Sequence, residues 1–140
     1  MQAGEAVSFP PLHLSIAQAR ELIRSREVSA VELVEAALDR IAAGEKLNVF
    51  RTVLRDSALA QAREVDGAAG RGDPLGPLAG VPLALKDNIE VAGVRMTAGT
   101  PHLGDPVPAS DAPVWERLRQ AGAVLVGKLH MSEWAIGGTT

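Results

Sequence analysis

Two amphipathic segments open the patterned part of the chain. Apolar residues recur at helical spacing over positions 16–23 and 31–41, which predicts two helices that each bury one face. A serine precedes each segment, with Gln or Glu three residues later, at Ser15-Gln18 and at Ser29-Glu32. This spacing is typical of a capping box. The pattern therefore predicts a helical hairpin, with Gly44 as the C′ residue after its second helix.

Three short runs have the character of strands. Residues 49–54 are rich in β-branched and aromatic side chains, whereas residues 81–85 and 123–127 are short apolar runs. Apolar runs of this length are typical of strands that are buried on both faces, as parallel strands usually are. Alternation of such strands with helices predicts an α/β layer structure.

The remaining segments are predicted from capping residues and from Gly and Pro. Asp56 or Ser57 is expected to cap a helix that fades near Gly67, followed by a Gly- and Pro-rich loop over 67–80. A second loop is predicted over 93–110, and then a helix that Asp111 caps. Its predicted apolar face contains Val114 and Leu118, Gly122 ends it, and one more helical turn is predicted over 132–136. Residues 1–14 show no periodicity, and they predict an extended N-terminal arm.

Composition narrows the class of protein. The 140 residues are 46% hydrophobic and 22% charged, which is typical of one globular domain or part of one. The net charge of −3 argues against a nucleic-acid partner or a polybasic membrane anchor. The sequence has no cysteine, which excludes disulfides and thiolate metal sites. Without a long apolar run or a secretory signal pattern, the sequence predicts a soluble, cytoplasmic protein.

Lys86 is the leading candidate for chemistry. It ends a predicted buried strand, and open α/β sheets bind ligands beyond the carboxyl ends of their strands. A salt-bridged or snorkelling strand terminus is the structural alternative. Asp87 follows directly, and its carboxylate would hold the amine charged if the two groups touched. Strand alternation sends neighbouring side chains to opposite faces, so contact between them is not required.

Other chemical motifs give no comparable signal. The three histidines, His13, His102 and His130, lack the spacing of metal ligands, and structural or surface roles are expected for them. The chain contains neither a P-loop nor a nucleophile elbow. We therefore expect no metal and no cofactor.

Three segments resemble the amidase signature family in order and spacing. They are residues 77–89, which read PLAGVPLALKDNI, residues 96–100, which read MTAGT, and residues 110–134. The resemblance implies that residues 15–140 are the N-terminal portion of an α/β/α layered fold with a mixed central sheet. It also implies an incomplete domain, whose continuation is expected after residue 140.

The family resemblance also implies a reaction. Members hydrolyse the C–N bond of a carboxamide with a lysine base, a bridging serine and a nucleophilic serine, and Lys86 matches the lysine. Both serines belong to a Gly- and Ser-rich stretch expected beyond residue 140, so the 140-residue chain alone is expected to be inactive. A small-molecule amide is the implied substrate.

Three interpretations of the chain stay open at this point. It is part of a free amidase, part of the glutamine-amidase subunit of an amidotransferase, or a truncated or degenerate relative with a binding role or no catalytic role. A sheet that lacks strands would expose apolar surface and unpaired strand edges. The chain alone is therefore expected to form homo-oligomers, to aggregate or to be loosely packed.

Overall fold

The computed structural model of the protein describes residues 14–104 and 106–137. Residues 1–13, which make up nearly all of the predicted arm, lie outside the described residues. Helices and strands alternate along the described chain in the order α1 (Ile16–Ser25), α2 (Ala30–Ala43), β1 (Phe50–Val53), α3 (Arg55–Arg71), β2 (Pro82–Lys86), α4 (Pro113–Gln120) and β3 (Val124–Leu129). The predicted α/β class is thus confirmed.

The predicted helical hairpin and both capping boxes are confirmed. The Gln18 amide donates to Ser15 Oγ over 3.2 Å, and the Ser15 amide donates back to Gln18 Oε1 over 2.8 Å. Ser29 and Glu32 repeat this exchange at the start of α2. Gly44 differs from its prediction, because its φ of −94° is not left-handed. The chain continues into a 3₁₀ turn instead, and the left-handed residue comes after that turn.

A carboxylate from α3 completes the N-terminus of α2. Asp66 Oδ1 accepts from the Ala30 amide over 2.6 Å, and Asp66 Oδ2 accepts from the Val31 amide over 3.1 Å. Ser29 Oγ accepts from the Glu32 amide over 3.0 Å. The first amides of a helix have no partner within the helix itself. At α2 the first three are satisfied by two side chains, one of which ties α2 to α3.

Helix α3 begins earlier and ends later than the sequence predicts. Its N-cap residue is Leu54, which supplies no side-chain cap, and both Asp56 and Ser57 lie within the first turn. The helix continues through Gly67 and ends at Gly72, whose φ of 74° is left-handed. A helical glycine costs about 1 kcal/mol relative to alanine. Packing against α2 and β3, together with the carboxylate cap on α2, outweighs that cost.

The three strands form a mixed sheet in the order β1-β3-β2. Strand β3 lies in the centre, antiparallel to β1 and parallel to β2. It is buried over most of its length, as predicted. The prediction that the strand around residues 81–85 is buried on both faces is wrong. Strand β2 is at an edge of the described sheet, and only Leu85 within it is fully buried.

Helices cover both faces of the sheet. On one face, Val124 and Val126 of β3 pack in a cluster with α1, α2 and α3. On the other face, Leu125 packs with Trp115 and Leu118 of α4. The α/β/α layering expected from the family resemblance is therefore present in the described residues.

Helix α4 confirms the predicted segment but corrects two details. Ala112 is its N-cap residue and supplies no side-chain cap. The Asp111 carboxylate instead accepts from the Ala92 amide over 2.8 Å and lies 3.3 Å from the Arg119 guanidinium. Val114 is exposed, and Trp115 is the buried residue of this turn. Among the described helices, none has the length and apolar character needed to cross a membrane.

Candidate active site

Lys86 is the last residue of β2, at the carboxyl end of the parallel pair. It stands opposite Leu129 of β3, and its carbonyl accepts from the Ile89 amide over 3.0 Å in the turn that follows. The side chain is exposed. Toward the residues that the structure describes, its ammonium makes neither a hydrogen bond nor an ion pair. The predicted location at a strand end is confirmed, whereas a catalytic role for Lys86 stays a prediction.

The carboxylate of Asp87 is directed to a different lysine. Asp87 Oδ1 lies 3.2 Å from the ammonium of Lys128 on β3. Lys128 and Asp87 have relative exposures of 0% and 1%, so the ion pair is withdrawn from solvent. Neither charged atom has a well-aligned hydrogen bond to any other described residue. The two neighbouring residues at the end of β2 therefore differ in solvent exposure, since Lys86 is exposed and Asp87 is buried.

The second oxygen of Asp87 holds a loop in place. Asp87 Oδ2 accepts from the Thr97 amide over 2.9 Å and from the Thr97 hydroxyl over 2.5 Å. The backbone carbonyl of Asp87 accepts from the Ala98 amide, and the Thr100 hydroxyl donates to Glu133 over 2.6 Å. The segment 97–100 thus connects the end of β2 with the segment that follows β3. It belongs to the second of the three segments that suggested a family.

A polar cleft adjoins this loop. Its lining residues are Arg51, Arg95, Thr97, Gly99, Thr100, Pro101, His130 and Met131. A larger apolar hollow lies between α2 and β1 and includes Leu38, Leu47 and Phe50. Lys86 lines neither of these two spaces. The polar cleft is the one connected to the candidate site, through Thr97.

The histidines are placed in different environments. His102 is exposed in the 3₁₀ turn Pro101–Leu103, and His130 is half-buried in the wall of the polar cleft. His13 lies outside the described residues. Within the described ranges, no three His, Cys, Asp or Glu side chains are grouped as metal ligands would be.

Lys128 and Thr97 were missed by the sequence interpretation. The available signal was Lys128 itself, since it is the only charged residue in the apolar run 123–129. A charge within a buried strand requires a partner. The sequence does not indicate which of the carboxylates elsewhere in the chain supplies it.

Comparisons with known proteins point to one family. The amidase family model matches residues 32–140. A glutamyl-tRNA(Gln) amidotransferase subunit from Carboxydothermus hydrogenoformans is 46% identical over 129 residues, which are 91% of this chain and 27% of that protein. The corresponding protein from Thermosynechococcus vestitus is 48% identical over 122 residues, 86% of this chain and 25% of that one. The chain thus spans about a quarter of the length of these relatives.

Solved structures of amidases match the same part of the chain. The native peptide amidase of Stenotrophomonas maltophilia superposes with a TM-score of 0.82 at 36% identity, over 89% of this chain and 26% of that one. An inhibitor-bound structure from a vestigial protein complex, described as revealing the origins of an s-triazine catabolic enzyme, superposes with a TM-score of 0.87 at 38% identity. It covers 91% of this chain and 28% of that one. The chain belongs to the amidase signature family.

Proposed function

We propose that this chain is the N-terminal part of an amide hydrolase in which Lys86 is the general base. One observation carries the assignment of the base. The Lys86 amine is exposed at the carboxyl end of a parallel strand, while the neighbouring carboxylate is paired with another ammonium. A base must be able to lose its proton, and an adjacent carboxylate would oppose that loss.

The proposed reaction follows the Ser-Ser-Lys scheme. Neutral Lys86 takes a proton from the nucleophilic serine through a bridging serine, and the serine oxygen bonds to the carbonyl carbon of the amide. The C–N bond then breaks, and the proton passes to the leaving nitrogen. Water releases the acyl group as a carboxylic acid and restores the serine. Because the chain spans 27% of its relative, we assign both serines to the remainder of the domain.

Glutamine is the first substrate to test. The relatives that are 43–48% identical to this chain are glutamyl-tRNA(Gln) amidotransferase subunits, whereas the two solved peptide amidase structures are 36–37% identical. This difference favours release of ammonia from a side-chain carboxamide. Peptide amides are the second class of substrate, and both classes contain the same scissile bond.

A chimera tests the proposal in a complete domain. This chain replaces the matching segment of the Carboxydothermus hydrogenoformans protein, and release of ammonia from glutamine and from peptide amides is measured. General-base catalysis contributes about 10²- to 10⁴-fold, so Lys86→Ala and Lys86→Arg should each lower turnover by that factor. Arg retains its proton and cannot act as a base. Lys46→Ala, at an exposed lysine of the 3₁₀ turn Glu45–Leu47, is the matched control and should retain turnover.

Two results would contradict the proposal. Near-normal turnover of the Lys86→Arg chimera would remove the base assignment, since Arg preserves only the charge. A chimera that folds but has no activity, beside a parent protein that is active, would favour a degenerate relative with a binding role or no catalytic role.

A further inference from the structure

The segment 97–100 is held at both of its ends by hydrogen bonds to carboxylates. At one end, Asp87 Oδ2 accepts from the Thr97 amide over 2.9 Å and from the Thr97 hydroxyl over 2.5 Å. At the other end, the Thr100 hydroxyl donates to Glu133 Oε1 over 2.6 Å. Thr97 and Thr100 are 5% and 3% exposed, so water does not readily replace either hydroxyl. The segment is therefore tied to two carboxylates that are distant in sequence.

The backbone of the segment makes the same connection. The Ala98 amide donates to the Asp87 carbonyl over 3.3 Å, and the Ala98 carbonyl accepts from the Trp134 amide over 2.9 Å. Gly99 packs so closely on the next element that an added Cβ would lie 2.7 Å from the Met131 carbonyl oxygen. Ala98 thus bridges the end of β2 and the turn that contains Trp134.

The backbone is left-handed on both sides of this contact. Ala98 has a φ of 50°, and Trp134 and Ala135 have φ values of 52° and 62°. Residues other than glycine rarely adopt this conformation, and they keep it only where surrounding contacts over-determine them. Such positions cluster at functional sites. The hydrogen bonds at Thr97 and Thr100 supply such contacts for the residue between them.

Asp87 connects this segment to Lys86 through the chain itself. Its amide donates to the Leu129 carbonyl over 3.2 Å, and Asp87 Oδ1 lies 3.2 Å from the Lys128 ammonium. The residue directly after Lys86 is therefore held through its amide, its carbonyl and both carboxylate oxygens. Contacts that fix Asp87 also fix the backbone at the end of β2.

We propose that residues 97–100 form a clamp in which Thr97 and Thr100 are positioning residues for the proposed reaction. The clamp fixes the end of β2, which carries Lys86, relative to the turn Glu133–Ala135, which leads toward residue 140. This inference deepens the proposed function and rests on it for its catalytic meaning, because both serines are assigned to sequence beyond that turn. Misplacement of reacting groups by about 1 Å can lower a rate about 10²-fold. Loss of the clamp should therefore lower turnover without removing a reacting group.

Paired substitutions in the chimera that tests the proposed function show whether the two ends act together. Valine matches the shape of threonine and lacks its hydroxyl, whereas serine retains the hydroxyl. Hydrogen exchange is measured at the amides of Ala98 and Trp134, neither of which bonds to a threonine hydroxyl. Thr97→Val should raise exchange at Trp134, and Thr100→Val at Ala98, by about tenfold, the size expected for one lost hydrogen bond to a charged group. The serine variants should keep both rates near their original values.

Turnover of the amide that the chimera hydrolyses tests the catalytic part on the same variants. Both valine variants should lower kcat about 10- to 100-fold per folded molecule, and both serine variants should recover most of it. Thr52→Val is the matched control, because Thr52 is half-buried on β1 and its hydroxyl bonds to no described residue. It should change neither exchange nor kcat. Circular dichroism measures the folded fraction, and Glu133→Ala, at an exposed residue, replaces a valine variant that does not fold.

Three results would overturn the proposal. Unchanged exchange at Ala98 and Trp134 in folded valine variants would show that the two ends are independent. A rise that is shared by the Glu32 amide, in the distant cap of α2, would leave the threonines a general stabilising role. An unchanged kcat, whether or not KM rises, would remove the positioning role. If the chimera without these substitutions is inactive, the proposed function fails, while the exchange rates still decide whether the clamp exists.

Discussion

The carboxylate that joins α3 to the start of α2 makes a specific prediction. Asp66→Ala removes the acceptor of two amide hydrogen bonds, of 2.6 Å and 3.1 Å, from Ala30 and Val31. Hydrogen bonds to a charged group contribute about 1.5–3 kcal/mol each. Asp66 is half-buried, so water partly replaces it in the variant. At full strength the two bonds would contribute about 3–6 kcal/mol, and because of this replacement we expect a smaller combined loss of about 2–3 kcal/mol.

Hydrogen exchange of the two amides measures this loss directly. Since 1.4 kcal/mol corresponds to a tenfold change in an equilibrium constant, Ala30 and Val31 should exchange about 30- to 150-fold faster. Asp66→Asn retains one uncharged acceptor oxygen and should give an intermediate rate. Asp39→Ala is the matched control, because Asp39 lies on α2, is largely exposed and contacts Arg55 only at 3.9 Å.

Two exchange results would refute this reasoning. If exchange at Ala30 and Val31 is the same in Asp66→Ala as in Asp39→Ala, the carboxylate does not cap α2. If Asp66→Asn is as damaging as Asp66→Ala, charge rather than hydrogen bonding accounts for the effect.

Further predictions address packing, pH and assembly. Gly80→Ala should lower the free energy of unfolding, measured by urea titration, by about 2–4 kcal/mol, because the added Cβ would lie 2.6 Å from Ile23 Cδ1 at a φ of 74°. Gly93→Ala has the same φ but open space around the added Cβ, so it should lower the free energy of unfolding by less. Hydrogen bonds from the Ser29 amide and hydroxyl lower the pKa of Glu32 from its ordinary value of 4.5. The stability that they contribute should therefore be lost as pH falls through that lowered pKa. Glu32→Gln should flatten this part of the plot of unfolding free energy against pH. Light scattering should show the isolated chain self-associating through its strand edges, and ammonia assays should find it inactive.

Local signals in the sequence were sufficient for the elements with short-range determinants. The capping boxes at Ser15 and Ser29 act over three residues, and the apolar run 123–126 that begins β3 is unbroken, so both could be predicted. Helix α3 could not be delimited, because Gly67 and Gly70 break helices on average. Contacts with α1, α2 and β3 outweigh that tendency.

The candidate site likewise has one part that the sequence predicts and another that it does not. The short apolar run before Lys86 places it at the end of a strand, whereas its proposed role as the base comes from the family resemblance alone. The Asp87 to Lys128 pair depends on the register between β2 and β3, which no local pattern specifies. The engagement of Thr97 likewise depends on how the following loop folds back on β2.

The central position of β3 has a consequence for the order of folding. Strand β3 pairs with β1 and with β2, yet it is the last of the three to be synthesised. During synthesis the residues of α1, α2 and α3 are complete before those of β3, so among the described strands β1 and β2 cannot form their sheet pairs until β3 has been made. Sheet formation is thus a late, non-local step, and such steps are slow because the loop must close before its contacts form. Burial of Lys128 belongs to this same step.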